Sequence, residues 1–379
     1  MKNISLYIHI PFCKSKCNYC DFLSFDNKDN VKREYVNALI NEIKSYSEIA
    51  KEYSVKSIFI GGGTPSILSC LDIEKIFDSL KLYYNIDTDA EITIEANPGT
   101  LDEEKIKVLL SSDVNRISMG LQSCNNGLLK KLGRIHTWEE FLNNYNMIRN
   151  SGFDNINIDL MFALPNQTIS DIENDLKKII SLRPEHISYY SLIIEEGTKF
   201  SRLYDDNKLV LPAEDVERDM YWLIHDTLQD NGYKHYEISN YALDNRECYH
   251  NKVYWKEEEY IGMGLGASSY FEGFRYKNIN NLSNYIDING DISKLKESTE
   301  KISKKTSIEE YMFLGLRLVE GIDKIDFYNR WGHEIEYYYK DVIQELIEKG
   351  LIIEDGCRLR LTKKGIDVSN FALSMFLFD

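Results

Sequence analysis

The sequence predicts an α/β fold: a partial, open (β/α)6 barrel followed by a small helical, winged-helix-like domain. Three observations carry that expectation. Strand-like runs alternate with longer helical patterns from the N-terminus onward, as parallel strands joined by crossover helices do. Within the runs, polar and apolar residues alternate with a period of two, which separates an inner from an outer sheet face. The alternation stops near residue 232, and a compact helix-rich pattern returns only at 307.

The strand-like runs lie near 4–10, 57–61, 91–95, 115–120, 155–160 and 186–191. Helical patterns fall near 31–51, 71–84, 102–112, 137–150, 168–182 and 213–231. Six units are too few to close an eight-fold barrel, and an open one leaves a wide cleft. In the first run Leu6, Ile8 and Ile10 oppose Tyr7 and His9. In the third, Ile92 and Ile94 oppose Glu91, Thr93 and Glu95. In the fifth, Ile156, Ile158 and Leu160 oppose Asn155, Asn157 and Asp159. The apolar faces pack on outer helices, so the polar faces line the interior, where an unsatisfied polar group is costly. Glu95 and Asp159 stand near the C-terminal ends of their strands, where barrel sites form. Either could be a buried, hydrogen-bonded structural polar group. Repeated agreement of parity and strand position favours a site.

Residues 1–232 make up the barrel. An extension follows: 233–280 is rich in Tyr, Gly and Asn, and 281–306 reads as a polar connector. The small domain spans 307–379, with helices near 307–319, 324–330 and 334–349 and strand-like runs at 351–354 and 358–362. Winged-helix folds often bind DNA, but the net charge of −16 argues against nucleic acid, which calls for a basic surface. The apolar tail 371–378 either closes the small domain's core or contacts a protein partner or the membrane periphery. Of 379 residues 43% are hydrophobic and 28% charged, ordinary for a soluble globular chain. No apolar run approaches the ~20 residues that span a bilayer. No secretory signal opens the sequence, so the cytoplasm is the expected compartment, where thiols stay reduced.

Cys13, Cys17 and Cys20 form a C-x3-C-x2-C loop directly after the first apolar run. Three thiolates from one tight loop can hold three irons of a 4Fe-4S cube, which four cysteines usually hold. No fourth Cys follows at loop spacing, so one iron would keep an open position. A zinc knuckle would need a paired ligand motif downstream, and none is visible. The other four cysteines are scattered singly; small buried hydrophobes are the ordinary reading for Cys70, Cys124 and Cys357. Gly61-Gly62-Gly63-Thr64-Pro65 follows the second strand, and glycines there let backbone approach a ligand closely.

These motifs carry a family resemblance. Tyr7 to Phe22 with its three cysteines, the Gly-Gly-Gly-Thr-Pro turn, 93–99 (Thr-Ile-Glu-Ala-Asn-Pro-Gly) and 115–123 together resemble the radical S-adenosylmethionine (SAM) superfamily. Within it the chain resembles the oxygen-independent coproporphyrinogen III oxidase group, and most of all its HemW-type heme chaperone branch. The resemblance covers nearly the whole chain and implies a TIM-like radical SAM barrel. It also implies that Cys13, Cys17 and Cys20 hold a 4Fe-4S cluster whose open iron is chelated by SAM. By the same resemblance Gly62, Gly63 and Thr64 cradle the methionine end, while Tyr7, Tyr19, Glu95, Gln122, Arg134 and Asp159 hold the rest of SAM. Parity alone already places Tyr7, Glu95 and Asp159 inside. Arg134, in a loop, is assigned by resemblance alone.

Two departures set the chain apart from the decarboxylating oxidase, the alternative function. The oxidase pattern has a Cys where Phe22 stands, and it carries an arm ahead of the first strand. Both favour the heme chaperone reading, with heme as cargo and recipient hemoproteins as partners. His250-Asn251-x2-Tyr254-Trp255 is a pattern associated with that branch, and His is a common axial ligand of heme iron. His250 is therefore either the heme ligand or a hydrogen-bonded loop histidine beside two core aromatics. Cys248 is the next candidate ligand.

Overall fold

The computed structural model describes residues 1–378. Six strands, β1 (Lys2–Ile10), β2 (Tyr53–Gly62), β3 (Ile86–Ala96), β4 (Arg116–Gln122), β5 (Ile156–Phe162) and β6 (His186–Ser191), lie side by side in chain order and run parallel. Their crossovers carry α1 (Lys32–Ser47), α2 (Cys70–Tyr83), α3 (Glu103–Ser111), α4 (Asn126–Leu132), α5 (Trp138–Asn150) and α6 (Ile169–Leu182). After β6 come α7 (Lys199–Asp205) and α8 (Glu214–Asp230). This is the expected partial barrel. The short helices α4 and α7 are additions that the sequence pattern does not reveal.

The register shows why the two faces differ. Ile8, Ile60, Ile94, Ile117 and Ile156 pair in succession from β1 to β5. All are buried, forming an aliphatic row against the helices. The other face is polar: Glu95 pairs with Ser118, Ser118 with Asn157, and Asn157 with His186. Side-chain caps start several of the helices: Ser69 on α2, Asp102 on α3, and the capping boxes Thr137/Glu140 on α5 and Thr168/Asp171 on α6. Each such cap satisfies N–H groups that the first turn leaves unpaired.

The extension completes the sheet. It adds β7 (Lys234–Glu237), β8 (Asn240–Ala242), α9 (Tyr249–Trp255), β9 (Tyr260–Met263), β10 (Ser268–Phe271) and β11 (Phe274–Asn278). Strand β9 pairs in parallel with β1, while β8 and β7 continue beyond β6. The stretch read as a polar connector holds α10 (Leu282–Ile288), α11 (Ile292–Leu295) and β12 (Lys296–Lys301), which forms one edge of the twelve-stranded sheet. All six residues of β12 are exposed. Polar, charged composition is what an unprotected sheet edge calls for, so the pattern reads as a connector although it is a strand.

The C-terminal unit comprises α12 (Lys304–Gly315), β13 (Ile322–Asp323), α13 (Lys324–Trp331), α14 (Ile335–Glu348), β14 (Ile352–Asp355), β15 (Arg358–Leu361), α15 (Lys363–Asp367) and α16 (Ser369–Ser374). It has its own three-stranded sheet and its own core. Ala372, Leu373 and Phe376 of the tail are buried in that core. The tail thus closes the unit, while Phe371 and Leu377 stay exposed.

Candidate functional site

The three-cysteine loop is held from several sides. Cys13 N–H donates to Phe25 O at 2.9 Å, and Phe25 N–H to Pro11 O at 2.8 Å. Asn18 N–H donates to Leu132 O, and Phe200 N–H to Asn18 O, both at 2.9 Å. Helices α4 and α7 therefore brace the loop. All three cysteines are half-buried. Thr64 Oγ1 donates to Cys13 Sγ at 3.7 Å, and Arg134 Nη1 to Cys17 Sγ at 3.6 Å. Burial raises the Cys13 thiol and pushes Cys20 up to about 11. Among the described residues no three His, Cys, Asp or Glu side chains converge on a single ion. A cube asks for something different, three thiols each reaching its own iron.

A cavity of 260 Å³ opens beneath the loop at the C-terminal ends of the strands. Eleven of the sequence candidates line it: Cys13, Cys17, Cys20, Tyr19, Gly62, Gly63, Thr64, Glu95, Gln122, Arg134 and Asp159. Tyr7 stands one layer below, its hydroxyl 3.0 Å from His9 Nδ1. Side-chain orientation follows from strand position: Glu95 is the penultimate residue of β3, and Asp159 sits mid-β5, where it accepts from Ser118 Oγ at 3.0 Å and Asn157 Nδ2 at 2.8 Å. Arg134 arrives by another route. Helix α4 ends at Gly133, whose φ of +78° is the left-handed cap that turns the chain inward. Arg134 then donates to Asn97 Oδ1 at 2.6 Å and to Gly120 O.

The glycines are sterically required. Gly62 has a φ of +110°, and a Cβ there would lie 2.5 Å from the His9 ring; at Gly63 it would lie 2.6 Å from Phe12 O. The Gly62 N–H donates to Glu95 Oε2 at 3.0 Å. Burial, and then the neighbouring Asp159, push Glu95 up to about 8; burial also raises Asp159. Gln122 takes a left-handed φ of +74°, a conformation that is strained for a side-chain-bearing residue. Arg134 Nε is buried without a partner, as is Thr93 Oγ1 on the same inward face as Glu95. An orphaned guanidinium N–H, two repelling carboxyls, a glycine cradle and three thiols fit a cationic amino-acid ligand bound beside a cluster.

Sequence reasoning passed over Asn97 and Tyr190 as site residues. Asn97 bridges the site, accepting from Arg134 and donating to Thr64 Oγ1 at 2.8 Å. Tyr190 O–H donates to Gln122 Oε1 at 3.2 Å. The available signals were the Asn-Pro that follows β3 and the end of β6.

His250 lies away from this cavity. Helix α9 sits against the inner face of β2, with Glu91 accepting the Tyr249 and His250 backbone N–H groups at 2.9 and 3.0 Å. Glu91 also accepts the Cys248 thiol at 3.4 Å. The His250 ring is 1% exposed. Its Nδ1 bonds Ser57 Oγ at 2.8 Å and its Nε2 bonds Tyr254 O–H at 2.9 Å, while the ring stacks on Phe59 at 5.2 Å. Of the two readings of this motif, the geometry is that of the satisfied histidine. A heme iron would reach either ring nitrogen only after that nitrogen's hydrogen bond broke and the ring was uncovered. Cys248 is fully buried as well.

Residues 7–179 match the radical SAM superfamily, and residues 302–368 match the HemN C-terminal domain. A heme chaperone HemW of Lactococcus lactis subsp. lactis is 42% identical over 99% of this chain and 97% of its own length. Those of Bacillus subtilis and Escherichia coli are 37% and 34% identical over 98% and 99% of this chain, and 99% and 98% of theirs. Coproporphyrinogen III oxidase (HemN) from Escherichia coli, a radical SAM enzyme, has the same fold, with a TM-score of 0.86 and 23% identity over 99% of this chain and 90% of that one. With identity of this degree running along almost the whole sequence, the chain belongs to the HemW-type heme chaperone branch of the radical SAM superfamily.

Proposed function

We propose that this chain binds heme and delivers it to recipient hemoproteins in the cytoplasm, on a radical SAM barrel that also binds a 4Fe-4S cluster and SAM. The observation that carries this reading is the near-full-length identity to heme chaperones. In this reading Cys13, Cys17 and Cys20 hold the cluster. When bound, the cluster supplies an open iron for chelation and an electron for SAM. Gly62, Gly63 and Thr64 form the backbone cradle for the methionine end. Arg134 faces the ligand carboxylate. Glu95 and Asp159 take the ammonium or ribose hydroxyls, Tyr19 and Gln122 close the walls, and Tyr7 supports them from the layer beneath. Bringing a cation into the cavity would favour the ionised form of Glu95, which burial now opposes. Phe22 stands at the cavity lip, 64% exposed, where the oxidase pattern has a Cys.

The test uses the cluster-reconstituted protein under anaerobic conditions. Stoichiometric heme binding, transfer of that heme to an apo-hemoprotein, and no conversion of coproporphyrinogen III with SAM and reductant are the expected results. Protoporphyrinogen formation without heme binding would replace this function with the oxidase. The triple Cys13, Cys17, Cys20→Ala variant is expected to lose the ~4 iron of a single cube; its retention would overturn the ligand set.

A further inference from the structure

We propose that the open groove on the C-terminal unit is the heme-docking surface, with His333 as the axial ligand. The proposal rests on the heme-binding reading above and names its site.

The inference starts from the seven histidines. An axial ligand needs an accessible ring nitrogen. His9, His136, His186, His235 and His250 are buried, and each ring is already hydrogen bonded. His225 Nδ1 is taken by Asp226 at 2.9 Å. His333 alone is exposed, and no hydrogen bond from the described residues occupies its ring. It stands in the short turn between α13 and α14, after Gly332 ends α13 with a φ of +73°.

The surroundings fit a porphyrin. His333 stacks on Tyr337 with centroids 4.2 Å apart and planes 13° from parallel. Tyr337 is 69% exposed. Tyr338, Phe378 and Ile308 continue the apolar wall of a groove of 660 Å³, within the roughly 300–1,000 Å³ range of small-molecule sites. Lys304 and Lys305 line the same groove. A heme presents a flat apolar macrocycle, a Lewis-acidic iron and two propionates. The groove answers these with apolar aromatic walls, an imidazole and the Lys304 ammonium group, on a chain whose net charge is −16 and would otherwise repel a dianion. The site is open to solvent, which suits a ligand that must be handed on.

The experiment is a hemin titration of the full-length protein followed by its Soret band. His333→Ala is expected to shift the band and weaken binding at least about tenfold, the equivalent of losing one 1.4 kcal/mol contact. The cluster absorbance should be unchanged. Tyr337→Ala and Lys304→Glu are expected to weaken binding of iron-free protoporphyrin IX, which His333→Ala should leave intact. His250→Ala should keep the wild-type Soret band. Unchanged heme spectrum and affinity in His333→Ala would overturn this site while leaving the heme-binding function standing. A wild-type protein that binds no heme would overturn the function itself.

Discussion

Glu95 carries the clearest pH signature of any residue in the cavity. Its carboxyl is pushed up to about 8 by burial and by Asp159, whereas an unfolded chain releases that proton near pH 4.3. Between these values the folded state holds the extra proton, so the group's contribution to stability falls as pH rises. Urea denaturation of the cofactor-free protein should therefore show Glu95→Gln gaining on wild type from pH 5 to pH 8. A constant difference across that range would refute the shift. Arg134 makes the matching prediction for ligand binding. Arg134→Ala should weaken SAM binding to the reconstituted protein by roughly 1.5–3 kcal/mol, the range of a hydrogen bond to a charged group. Calorimetric titration measures it, with thermal melting to confirm the fold. Parity on β3 and β5 made Glu95 and Asp159 legible in the sequence. Arg134 was not legible that way, because it follows a short helix and owes its direction to Gly133.

Among the elements, α9 shows how one motif admits two readings until its partners are known. The seven-residue helix has no side-chain cap of its own; Glu91 of β3, paired with Ser57 of β2, caps it instead. His250 ties it to β2 through Ser57. Truncating this buried ring should cost about 3–5 kcal/mol, as for other aromatic truncations in a core. Tyr254→Phe leaves His250 Nε2 without its hydroxyl partner and should cost about 1–3 kcal/mol. Urea unfolding checks both, and a null effect of either would show that α9 is not anchored through this ring. Pattern reading found the long amphipathic helices because their apolar faces repeat over several turns. It passed over α4 and α7, two turns each, whose few apolar residues pack into a small satellite core with Met161, Leu164 and Leu192. It read β12 as connector because an exposed edge has no apolar face to betray it.

At the scale of the molecule, the C-terminal unit keeps a separate core yet docks on the barrel. Trp222 Nε1 on α8 donates to Asp367 Oδ1 at 2.8 Å, and Arg275 on β11 forms a two-pronged ion pair with Glu310 at 2.6 and 2.7 Å. Phe376→Ala should remove about 3–5 kcal/mol from the small core. Limited proteolysis should then cut after residue 302 while cluster absorbance survives; loss of the cluster as well would show that the two parts unfold together. The sequence by itself determined the alternation of strands and helices, the polar inner face, the three-cysteine loop and the family. Each of these is local, resting on a period of two, a short spacing or a contiguous motif. Tertiary structure alone decided which distant side chains meet: Arg134 with Asn97, Glu91 with α9, Glu95 within reach of Asp159. It also decided that His250 is sealed and His333 open. Burial and long-range partners set both outcomes, and neither is written in the residues next to a histidine.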